Sequence, residues 1–168
     1  EQYVPLGFSA PGTVQAPAVL AGYGLKDEAL GIDEFKGVPV KGKIVIVRRF
    51  VPEHAKLGSV EVQRSAGDLR KKAFVAKALG ARALVIVDWP LVAVEGSELP
   101  PEAALPELRP EGSGDAGIPV VVVKRAALEP VRGISADILL EPLRAPRASE
   151  RHPSDHQMRG TRTPACLT

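Results

Sequence analysis

Aromatic residues are scarce: four Phe, two Tyr and one Trp make up 4% of the 168 residues. The 45% hydrophobic content must then be carried by Val, Leu, Ile and Ala, which makes for an aliphatic core. The one cysteine, Cys166, lies two residues from the end, which excludes an internal disulfide and leaves the redox compartment unread. No stretch approaches the ~20 apolar residues of a spanning helix, so no membrane span is expected. A single-sign charge excess is also absent from the body of the chain. From Arg144 onward five Arg oppose Glu150 and Asp155, a local +3, so the total of +2 leaves residues 1–143 with −1. A body that close to neutrality lacks the basic stripe of a nucleic-acid footprint. The chain starts on Glu1 with no basic-then-apolar leader, which reads as a processed form or a piece excised from something longer.

Catalytic signatures are missing too. There is no G-x-S-x-G elbow, no H-E-x-x-H, no C-x-x-C and no phosphate-binding loop. His152 and His156, around Asp155, have a spacing that binds metal on a helix. They sit beside Pro153 with no hydrophobic scaffold to hold ligands in place, so no metal is assigned. Asp27, Glu28, Asp33 and Glu34 are read as solvated loop carboxylates, and Gly22-Tyr23-Gly24 as a tight turn rather than a phosphate loop.

What is present is organised around residues 68–88, D-L-R-K-K-A-F-V-A-K-A-L-G-A-R-A-L-V-I-V-D. Asp68 suits a helix N-cap. Leu69, Ala73, Ala76 and the Leu79/Gly80 pair recur at helical spacing, leaving Arg70, Lys71 and Lys77 for water. Gly80 reaches the left-handed conformation that ends a helix, and the apolar run at 83–87 follows as a strand. The alanine-rich face lets this helix lie close to a sheet.

Two further runs, at 44–47 and 118–123, are unbroken apolar and read as strands buried on both faces. Short strands are expected at 13–16, 18–21 and 136–140, and a short helix at 124–129. Residues 51–67 are read as irregular. Residues 91–117 set Glu95, Glu98, Glu102, Glu107, Glu111 and Asp115 against Arg109 alone, a proline-broken excursion that is either a recognition loop or merely solvated. Arg48 and Arg49 close the first buried strand, either pairing with acidic groups or lining a groove, and His54 lies in the loop beyond. The tail at 144–168 is rich in Arg and Pro and is expected to be disordered.

Three stretches carry a resemblance: V-P-V-K-G-K-I-V-I-V-R-R at 38–49, K-A-F-V-A-K-A-L-G-A-R-A-L-V-I-V at 72–87, and G-I-P-V-V-V-V at 117–123. Their order resembles that of the protease-associated (PA) domain, with Lys43, Lys72, Ala73, Ala76, Gly80, Ala81 and Pro119 on its pattern. The opening P-L-G-F-S-A-P-G and V-L-A-G-Y-G look like the lead-in to a PA domain inserted in secreted zinc aminopeptidases of the transferrin-receptor and glutamate-carboxypeptidase clan. The resemblance implies a β-rich α+β fold, a mixed sheet or open barrel with short flanking helices, over residues 1–143. It implies no catalytic residue, no metal and no cofactor in this chain. Its expected partners are the catalytic peptidase domain of the same parent protein and a peptide or protein substrate, outside the cell or in the periplasm. Arg48, Arg49 and His54 are the expected binding residues, because an arginine can hold a peptide carboxylate bidentately. The pattern departs from the whole enzyme after Leu143, where H-P-S-D-H does not match the H-x-D that begins the zinc site. The competing reading is a stand-alone α/β module that binds a small molecule or peptide.

Overall fold

The structure, a computed structural model, describes residues 2–89, 100–107 and 115–128. In chain order the strands are β1 (Tyr3–Pro5), β2 (Ala18–Leu20), β3 (Lys26–Asp27), β4 (Ile32–Asp33), β5 (Ile44–Arg48), β6 (Ala83–Val87) and β7 (Val120–Val123). The helices are α1 (Val60–Ala66) and α2 (Leu69–Ala78), with single 3-10 turns at Ala55–Leu57 and Arg125–Ala127.

The three continuous aliphatic runs form the middle of a five-stranded sheet of order β1-β7-β6-β5-β2. Strands β2, β5, β6 and β7 run parallel, and β1 is antiparallel to β7. The absence of polar alternation in these runs has its counterpart in burial on both faces. Val45, Val47, Leu84, Ile86, Val120 and Val122 pack with Ala73 and Ala76 on the α2 side. Ile46, Val87, Val123 and Leu128 gather in a second cluster. Each such side chain stabilises the fold by about 1.5–3 kcal/mol relative to exposure.

Helix α2 forms as its sequence dictates. The Asp68 Oδ1 accepts from the backbone N–H groups of Arg70 and Lys71, at 2.8 and 3.1 Å. Ala73 and Ala76 are fully buried, and their small side chains set the helix against β6. Gly80, with φ of +85°, turns the chain sharply, so the Ala81 N–H reaches back to the Ala76 carbonyl at 3.0 Å and β6 follows at once. The expected β-rich α+β architecture, a mixed sheet with short flanking helices, is the one observed.

Local differences have local reasons. Residues 13–16 are not a strand; pairing begins only after Pro17, whose carbonyl accepts from Ile44 N–H. The stretch at 51–67 is not irregular but holds a 3-10 turn and α1. That helix buries none of its residues fully; Val62 and Ala66, one turn apart, pack half-buried against the Tyr23, Leu25 and Leu57 cluster, and the Ser59 hydroxyl caps it by accepting from Val62 N–H. Residues 26–33 form a small antiparallel hairpin, and the helix expected at 124–129 is one 3-10 turn. The strand expected at 136–140 and the tail at 144–168 lie outside the described residues.

Candidate functional site

The expected binding residues emerge from the C-terminal end of β5, and the structure separates them. Arg48 is 2% exposed. Its guanidinium lies 5.5 Å from the centre of the Tyr23 ring, beneath the surface. Arg49, one residue on, points the other way: its Nη1 donates to the Ala104 carbonyl at 2.6 Å, and its guanidinium stacks 5.3 Å from the exposed Phe50 ring. His54 is exposed, and its Nδ1 caps the following turn by accepting from Lys56 N–H at 3.2 Å. Two adjacent arginines on one open rim are therefore not what the strand produces, because successive residues face opposite ways. Arg49 and His54 reach the surface; Arg48 does not.

Arg48 belongs to an interior polar group that sequence reasoning overlooked. Lys72, on α2, is 1% exposed. Its ammonium donates to the carbonyls of Arg48 at 3.0 Å and Phe50 at 2.6 Å. Phe50 has φ of +28°, a left-handed conformation uncommon for a bulky side chain, and the Lys72 bond fixes its carbonyl. Beside them the Glu34 Oε2 accepts from the N–H groups of Tyr23 and Leu25, at 3.1 and 2.9 Å. The Gly22–Gly24 turn permits this approach: a Cβ on Gly22 would stand 2.6 Å from the Glu34 carboxylate, and one on Gly24 2.7 Å from Val47.

Burial governs the protonation of this group. It lowers the Lys72 ammonium to about 8, opposed by attraction to Glu34. It pushes the Glu34 carboxyl up, against the two N–H bonds that favour its ionised form. It raises the Tyr23 phenol, opposed by Arg48, and lowers the Arg48 guanidinium, opposed by Tyr23. In each case desolvation outweighs the nearby charges.

A second set of charges stands at the ends of the parallel strands. Asp88 follows β6 and Arg125 follows β7. The Asp88 Oδ2 accepts from Ala103 N–H at 2.6 Å and lies 3.6 Å from Arg125 Nη2. Arg125 donates through Nη1 to the Pro100 carbonyl at 2.8 Å, through Nε to the Asp88 carbonyl, and through its own N–H to the Glu102 carboxylate at 2.6 Å. With the Arg49 bond to Ala104, residues 100–104 are held as a strap by groups following three neighbouring strands. This strap lies within the acidic excursion, whose described residues are 100–107 and 115–117. Asp88 was visible in the sequence only as punctuation after a strand, and Arg125 only within a short helix.

The other carboxylates have ordinary local roles. Asp27 accepts from Leu30 N–H and Asp33 from Phe35 N–H, and Asp33 lies 3.8 Å from Lys26. Among the described residues no three His, Cys, Asp or Glu side chains approach closely enough to hold a metal ion. His152, Asp155 and His156 lie outside them.

Comparison with known proteins completes the picture. The aminopeptidase from Aneurinibacillus sp. strain AM-1 is a similar solved structure, at 18% identity and a TM-score of 0.48, covering 86% of this chain and 25% of that one. This chain thus spans about a quarter of the length of that protein. No curated protein matches it. The sequence profile of the PA domain matches residues 14–131, from before β2 to beyond β7. With that profile covering well over half of its length, the chain belongs to the PA domain family.

Proposed function

We infer that this PA domain is a non-catalytic accessory domain of a metallopeptidase that works beside a catalytic domain of the same parent protein. Its role is to influence how a peptide or protein substrate reaches the cleft. One observation carries the reading. The charged groups at the strand ends, Arg49, Asp88 and Arg125, all engage main-chain groups of the segment 100–104. Such an arrangement holds peptide backbone in place; it does not pair a nucleophile with a base. The rim formed by Arg49, Phe50 and His54 is the face turned toward substrate, with Arg48 supporting it from beneath. An extracellular or periplasmic location goes with this reading, and fractionation of cells making the parent protein tests it.

The test of function is a split in kinetics. In the parent peptidase, Arg49→Ala is expected to raise KM for long peptides while leaving kcat and KM for a small chromogenic substrate unchanged. Equal effects on both substrates, or none on either, would leave the domain a spacer. Peptidase activity in this chain alone would overturn the accessory role.

A further inference from the structure

Residues 100–104 are bound much as a protein binds an extended peptide from elsewhere. Three of the four contacts to this strap are made through its main chain: the Pro100 carbonyl, the Ala103 N–H and the Ala104 carbonyl. The fourth is the Glu102 carboxylate, which accepts from Arg125 N–H at 2.6 Å. The groups that hold it follow β5, β6 and β7, three adjacent parallel strands, so they are mounted on the most rigid part of the fold. Main-chain contacts are indifferent to side-chain identity, and one charge-assisted contact adds a preference for an acidic residue.

We propose that the carboxyl ends of β5, β6 and β7 form a peptide cradle and that residues 100–104 are its resident ligand. The external ligand is an extended peptide segment with a carboxylate side chain directly before the residue whose N–H meets Asp88. Such a segment displaces the strap and takes over its bonds to Arg49, Asp88 and Arg125. The proposal rests on the substrate-access reading above and names the class of peptide. The crevice beyond the carboxyl ends of parallel strands is also where α/β sheets commonly receive ligands. A strap that fills the cradle most of the time lowers the apparent affinity for an outside peptide by the fraction of time the cradle stands open.

The test uses the full 168-residue chain and a fluorescent peptide of sequence P-P-E-A-A-L-P-E, that of residues 100–107. In one variant residues 100–104 are replaced by Gly and Ser at equal length. Fluorescence anisotropy is expected to show this variant binding the peptide about tenfold or more tighter than the intact chain. Changing the first Glu of the peptide to Gln should weaken that binding, because the Arg125 N–H then meets a neutral acceptor, and Arg125→Met in the variant, which removes the donor to the first Pro carbonyl, should weaken it further. A folded variant that ignores the peptide, or an intact chain that binds equally well, would overturn the proposal. If circular dichroism shows the replacement unfolded, Ala103→Pro in the otherwise intact strap takes its place. It removes the N–H that meets Asp88, and failure to gain affinity there would be equally fatal. The binding is read without any peptidase, so a negative result here and a flat KM split in the parent enzyme are separate outcomes.

Discussion

Two groups of charges lie close together in this domain, and they do opposite jobs with the same chemistry. Inside, Lys72, Arg48 and Glu34 sit under the Gly22–Gly24 turn, with the buried Lys72 ammonium and the Glu34 carboxylate hydrogen-bonded to buried or part-buried backbone groups. At the strand ends, Arg49, Asp88 and Arg125 grip backbone that solvent also reaches. The difference is burial. A lost bond inside leaves a desolvated carbonyl or amide unsatisfied, whereas at the rim water replaces the missing partner. Interior charges therefore decide stability, and rim charges are free to serve recognition.

The largest expected effect comes from breaking the interior group. Lys72→Met should cost about 2–4 kcal/mol in urea unfolding, because the Arg48 and Phe50 carbonyls lose their donor. Proton linkage sharpens the same point. The Lys72 ammonium is lowered to about 8 in the folded protein from 10.5, so the unfolded chain binds more protons between those values and stability rises with pH. The expected gain from pH 8 to pH 10 is about 2 kcal/mol, and it should vanish in Lys72→Met. The raised Glu34 carboxyl works in the opposite sense: its contribution is present below pH 4.5 and is lost as pH climbs through its folded value.

Overpacking beside the interior group should matter next. Ala76→Leu is expected to cost about 1–3 kcal/mol in a thermal melt, since Ala76 is fully buried against the sheet. At the rim the effects shrink. Asp88→Ala removes the acceptor for Ala103 N–H and the partner of Arg125, and should cost about 1 kcal/mol.

The fold was legible in the sequence wherever apolar residues ran unbroken. The runs at 44–47, 83–87 and 120–123 could only be buried strands, and Asp68, Ala73, Ala76 and Gly80 mark out α2 by cap, face and stop. Helix α1 was illegible because it is only seven residues long and its apolar face is a single pair, Val62 and Ala66, too short to show a period. The interior charges left one signal unused. Lys72 falls three residues after Leu69 and four before Ala76, on the apolar face of α2, where a lysine must find carbonyls. The strap was hidden for a different reason: its bonds join residues up to 55 positions apart, and no local pattern encodes such a pairing. Arg48 and Arg49 stood out together in sequence, yet the alternation of an extended chain sends one inward and the other outward.

The most direct measurement of that division is the urea unfolding of Arg49→Ala beside Lys72→Met, in the same chain and buffer. Arg49→Ala is expected to stay within about 0.5 kcal/mol of the parent, with an unchanged slope, as exposed contacts usually do. Lys72→Met is expected to fall by several times as much. If Arg49→Ala falls as far as Lys72→Met, the rim is part of the scaffold, and its assignment to substrate recognition is wrong.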